Sequence, residues 1–153
     1  MNAQRSMQQY LDDQHALLEL GLAGLEGSLA AGAFFDARMR LAGFRAHLGR
    51  YVRGEERVLF PIYEQLPAVP REPTARMRRE HGHLRRMIAR LGAIIDRKDA
   101  PRGLTVLGAL RDVLFVHSVK EDWLIYPSLV DAMPAPKQDA IVRALRDGAR
   151  FAS

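Results

Sequence analysis

The chain has 153 residues, 48% of them hydrophobic and 27% charged, enough for one well-buried core. It contains no cysteine, which excludes disulfides, thiolate metal sites and a cysteine nucleophile. The net charge of +5 is almost wholly arginine, with six arginines crowded between Arg76 and Arg90; no aromatic residue lies among them, so the run reads as a solvated helix face rather than a nucleic-acid surface.

The opening residues, Met1 to Gln9, are polar and lack the apolar stretch of a signal peptide. From there Leu11, His15, Leu18, Leu22, Leu25 and Leu29 recur three and four apart, which predicts an amphipathic helix ended near Gly32. A second stripe runs through Leu41, Phe44, Leu48, Tyr51, Glu55, Leu59 and Ile62, and Pro61 near its end predicts a kink or a stop. The proline-rich stretch Leu66 to Pro73 separates it from a third stripe, Met77, His81, Leu84, Ile88, Leu91 and Ile95. Asp96 to Gly103 forms the next break, before Leu107, Leu110, Leu114, His117, Glu121 and Ile125, with Pro127 beyond. Pro134-Ala135-Pro136 then precedes a short helix over about 136–150, with Ile141, Val142 and Leu145 facing inward. Four amphipathic helices joined by short loops predict an all-α, up-down-up-down four-helix bundle over about residues 5–132, plus the C-terminal helix, as one domain spanning 1–153. No apolar stretch reaches membrane-spanning length, so a cytoplasmic location is the expectation.

The two halves repeat each other. His15 and His81, Glu55 and Glu121, and Pro61 and Pro127 are each 66 residues apart, and Gly54 to Pro61 lies over Lys120 to Pro127. One pair breaks the identity, since Tyr51 lies over His117.

A glutamate within an apolar stripe requires an explanation, because buried charges are normally paired or bound to metal. Glu55 and Glu121 are two such residues at matched positions, each four residues after Tyr51 or His117. Residues four apart rise about 6 Å along one helix face and can converge on one centre. His15 and His81 supply one further donor each from the other two helices. Taken singly, a histidine here could be a hydrogen-bonded core residue, a glutamate could pair with Arg45, Arg78 or Arg85, and Tyr51 could be a packing residue. The joint, duplicated pattern points instead to a pseudo-symmetric site for two metal ions. Imidazole and carboxylate without sulfur suit iron, zinc, copper or manganese, and bridging carboxylates in a bundle core suit di-iron or di-manganese. His47 lies about 12 Å along the axis from Glu55, too far to share an ion with it, and reads as a supporting or rim residue; His83 reads as surface.

The Glu-Glu-x-x-Leu-Phe-Pro run at residues 55–61, the Glu80-His81 pair, and His117-x-x-x-Glu121 leading into Tyr126-Pro127 resemble the hemerythrin-like, HHE cation-binding domains over about residues 10–130. The resemblance implies a four-helix bundle holding two iron ions, bridged by two carboxylates and an oxo or hydroxo group. It makes His15, Glu55, His81, His117 and Glu121 iron ligands, with Glu55 and Glu121 bridging and Tyr51 at the position of a family histidine. Oxygen-carrying hemerythrins have a second histidine where this chain has Arg85, so the set is closer to bacterial members that repair iron centres or respond to nitric oxide.

The expected function is therefore a non-haem di-iron protein that binds or reacts with oxygen, peroxide or nitric oxide, in oxidative or nitrosative stress defence or iron-centre repair. The alternatives are a non-catalytic module that stores or donates iron or senses a gas, and a metal-free bundle that binds partners through its arginine face.

Overall fold

The computed structural model of the chain describes residues 6–148. Helix α1 spans Met7–Ala30 and α2 spans Phe34–Gly54; a five-residue π turn, Glu55–Leu59, then leads into the short α3, Phe60–Glu64. Helices α4, Glu72–Asp96, and α5, Ala100–Lys120, follow. A second π turn, Glu121–Ile125, leads into α6, Tyr126–Asp131, and the last helix is α7, Ala135–Asp147. The predicted all-α bundle forms: α1, α2, α4 and α5 pack in a ring, and α7 lies against α1, α2 and the first π turn. The predicted first bundle residue, 5, and the last residues of the C-terminal helix, 149–150, lie outside the described residues.

Local chemistry sets the helix ends. Ser6 Oγ accepts the Gln9 N–H at 3.2 Å to start α1, and Asp99 accepts the Arg102 N–H at 3.1 Å to start α5. Each such cap contributes about 1 kcal/mol. Gly32, at φ +66, takes the left-handed conformation that turns α1 into α2 within three residues. Two predicted breaks are narrower than expected. Pro73 belongs to the first turn of α4, where its missing N–H is not needed, and only residues 97–99 separate α4 from α5.

The π turns alter the predicted stripes. Phe60 N–H donates to Glu55 O and Tyr126 N–H donates to Glu121 O, each five residues back, which adds a residue to that turn. The helix therefore rotates beyond Leu59, so Phe60 and Tyr63 are buried and Ile62 is only half-buried. Neither proline ends its rod. Pro61 and Pro127 each follow a register change, and helix continues to Glu64 and Asp131.

The apolar core consists of two clusters. One is built around Leu22, Leu25, Phe44, Leu84, Leu91 and Leu110; the other around Met7, Leu59, Phe60, Met77, Tyr126 and Ile141. Between them lies a layer of buried polar side chains contributed by all four long rods. Among the described residues no helix is long and apolar enough to cross a membrane.

Candidate metal centre

Glu55, His81, His117 and Glu121 are almost completely buried in the polar layer. Each offers one ligand atom, and the four atoms lie within 4.8 Å of one another. His81 Nε2 is 3.1 Å from Glu55 Oε2, His117 Nε2 is 2.8 Å from Glu121 Oε1, and the two Nε2 atoms are 3.1 Å apart. Glu55 Oε2 and Glu121 Oε1 are buried and accept no hydrogen bond. These two oxygens meet the imidazole nitrogens, and a cation set between the four groups would satisfy them. Two imidazoles and two carboxylates without sulfur form a set suited to iron, zinc or manganese.

The imidazoles are held from behind. His81 Nδ1 donates to Glu56 Oε1 at 2.7 Å, and His117 Nδ1 donates to Glu80 Oε2 at 2.8 Å. Such carboxylates fix the ring and aim Nε2 at the centre. Lys120 bonds to the other oxygen of Glu80, so that carboxylate is itself anchored.

The half of the layer beside His15 has different chemistry. His15 Nε2 lies 3.0 Å from Glu121 Oε2 and 2.7 Å from the Tyr51 hydroxyl, while Nδ1 faces Asp122 at 3.6 Å. Tyr51 donates to Glu121 Oε2 at 3.0 Å and Tyr126 donates to Glu55 Oε1 at 2.7 Å, with the two hydroxyl oxygens side by side. The 66-residue repeat orders these contacts. Glu56 supports His81 as Asp122 faces His15. The Phe60 ring stacks on His81 with centroids 5.8 Å apart, as Tyr126 stacks on His15 at 5.9 Å.

Electrostatics separates the two glutamates. Burial, and then the charge of Glu121, pushes Glu55 up to about 7. Burial acts on Glu121 in the same direction, but His117 and His15 outweigh it and hold its carboxyl well below the usual range. Burial opposes a charge on His117, yet Glu121, Glu55 and Glu80 carry it up to about 9. Burial, reinforced by both glutamates, raises the Tyr51 and Tyr126 phenols well above their ordinary value.

The model of the hemerythrin HHE cation binding domain matches residues 6–129, which covers the four long rods and the whole polar layer. The chain belongs to this family. No curated protein and no solved structure matches it. The buried His/Glu cluster is thus the metal-site cluster of a hemerythrin-type cation-binding domain.

All six residues singled out in the sequence lie in the hemerythrin-type layer. Four of them converge, while His15 and Tyr51 lie in the adjoining half against Glu121. The arginine alternative does not hold. Arg78 pairs with Glu64 at 2.6 Å, Arg85 lies on the rim 3.9 Å from Glu56, and neither meets Glu55 or Glu121. His83 is exposed, as expected, and most of the arginine run is exposed with part of it ion-paired to Glu72 and Glu64. His47 is half-buried beside the Gln14 backbone, with Nε2 enclosed.

Sequence reasoning gave no role to Glu56, Glu80, Asp122 or Tyr126. The repeat carried a signal for Tyr126, because a tyrosine replaces Phe60 at the equivalent position. The supporting acids carried no periodic signal, since they adjoin the ligands in sequence but sit at the edge of the apolar face. Among the described residues, openings reach the layer from more than one side. A cleft of about 280 Å³ between α1, α2 and α7 reaches Tyr51 and Glu55, and a groove of about 980 Å³ between α2 and α4 reaches His81.

Proposed function

We propose that this hemerythrin-family domain is an iron protein that binds or reduces a small oxidant such as oxygen, peroxide or nitric oxide. The observation that carries the reading is the pair of buried carboxylate oxygens, Glu55 Oε2 and Glu121 Oε1, which lack hydrogen bonds and face two imidazoles held by Glu56 and Glu80. Glu55, His81, His117 and Glu121 would hold the iron, with His15 and Tyr51 beside them against Glu121. Iron there supplies reversible electron transfer and an open coordination position.

The chain's own residues supply the remaining parts. Glu56 and Glu80 keep the His81 and His117 Nε2 atoms turned inward. Tyr51 and Tyr126 keep their protons at neutral pH and use them in hydrogen bonds to Glu121 and Glu55. The cleft of about 280 Å³ is large enough to admit a diatomic molecule or peroxide to Tyr51 and Glu55.

Elemental analysis of protein purified without a metal-affinity tag tests the iron assignment. Peroxide decomposition by the iron-loaded protein, measured against Glu121→Ala and free iron, tests the chemistry. Turnover no faster than free iron removes the enzymatic version. A reversible spectral change on adding oxygen or nitric oxide, without turnover, assigns the domain to binding or sensing instead.

A further inference from the structure

We infer that the two halves of the centre are unequal: the half formed by His81 and His117 takes the first metal ion, whereas Tyr51 and Tyr126 close the half beside His15. This rests on the metal-binding reading above and specifies its order of loading. The evidence is the division of the carboxylate oxygens. Glu55 Oε2 and Glu121 Oε1, which face His81 and His117, receive no hydrogen bond. The opposite oxygens, Glu55 Oε1 and Glu121 Oε2, accept from Tyr126 at 2.7 Å and Tyr51 at 3.0 Å. The Tyr51 hydroxyl also lies 2.7 Å from His15 Nε2, the one imidazole nitrogen that half offers.

A first ion displaces no hydroxyl: its acceptors face His81 and His117, at 3.1 and 2.8 Å, and those imidazoles are already held by Glu56 and Glu80. A second ion must break both hydroxyl-to-carboxylate bonds and part Tyr51 from His15. Two hydrogen bonds to charged acceptors together account for a difference of about 100-fold in affinity. The repeat shows what an open half looks like. His117 stands where the other half has Tyr51, and Phe60, which has no hydroxyl, stands where it has Tyr126. The tyrosine pair thus converts a symmetric two-ion frame into a tight site beside a hydroxyl-filled one.

Cobalt(II) titration of the full-length apoprotein, followed by calorimetry and by the visible cobalt spectrum, tests this. The wild type should bind one ion tightly and a second about 100-fold more weakly or not at all. Tyr126→Phe, which copies the ring already accommodated at Phe60, should strengthen the second step. Tyr51→His combined with Tyr126→Phe should bring the two steps within about tenfold. Two equally tight ions in the wild type would overturn the inference and leave the metal-binding function standing. Failure of Tyr126→Phe to change the second step would also overturn it, whether or not the double variant folds. No cobalt binding at all would remove both.

Discussion

Metal binding to this centre should be strongly opposed by acid, and the size of the effect follows from two buried groups. In the apoprotein His117 holds its proton up to about pH 9 and Glu55 up to about pH 7. Both protons must leave before Nε2 and the carboxylate can serve as ligands, so protons and metal compete. Lowering the pH from 8 to 6 adds about a 100-fold penalty through His117 and about tenfold more through Glu55, together about three orders of magnitude or about 4 kcal/mol. Competition between the protein and a chromophoric chelator for cobalt(II), at constant ionic strength across pH 6 to 8, measures this for the tight ion. Glu80→Gln removes one of the groups that raises His117 and should flatten the dependence. A change below about tenfold across the range would refute the assigned protonation states and, with them, the electrostatic account of the layer.

The apoprotein should also lose stability as pH rises. Folded-state values raised above the unfolded ones favour folding at low pH, so Glu55 weakens the fold from about pH 4.5 to 7 and His117 from about 6.5 to 9. A melting midpoint about 10 °C lower at pH 9 than at pH 5, with the loaded protein much less sensitive, is the expected calorimetric result. Glu56→Ala should weaken the tight ion by about 10- to 100-fold in the same chelator assay, whereas Asp122→Ala, 3.6 Å from His15, should change it far less. If Tyr51 ligates ferric iron as phenolate, the loaded protein should show a visible charge-transfer band that Tyr51→Phe abolishes; an unchanged spectrum assigns Tyr51 to proton donation alone. Leu84→Ala, fully buried in the larger apolar cluster, should cost about 2–5 kcal/mol in denaturant melts without altering the cobalt spectrum.

Much of this molecule was legible in its sequence because helical period and internal repeat are both strong signals. The third stripe is buried at every predicted position, from Met77 to Ile95, and Gly32 turns the chain where expected. The 66-residue offset singled out Glu55 and Glu121 before any coordinates, since a carboxylate in an apolar stripe has few stable explanations. The π turns were not legible. They depend on which carbonyl a backbone N–H chooses, and the prolines that mark them signal only a disturbance. Missing the π turns placed Ile62 inward instead of Phe60 and Tyr63 and left Tyr126 without a role. Glu80 and Glu56 escaped for another reason: whether a half-exposed acid turns toward an imidazole depends on a neighbouring helix, which local sequence does not encode.

Glu55 and Glu121 each open a wide turn, and a proline follows six positions later in both halves. Between glutamate and proline, the chain is therefore freer to change its letters than its length. Inserting one more residue into 56–59 or 122–125, where the turn is already widened, would swing the next ring about 100° around the rod, taking Phe60 off His81 or Tyr126 off His15. Evolution can retune this centre by exchanging side chains within those five-residue spans, as Phe60 and Tyr126 already illustrate, but a further insertion there would dismantle it.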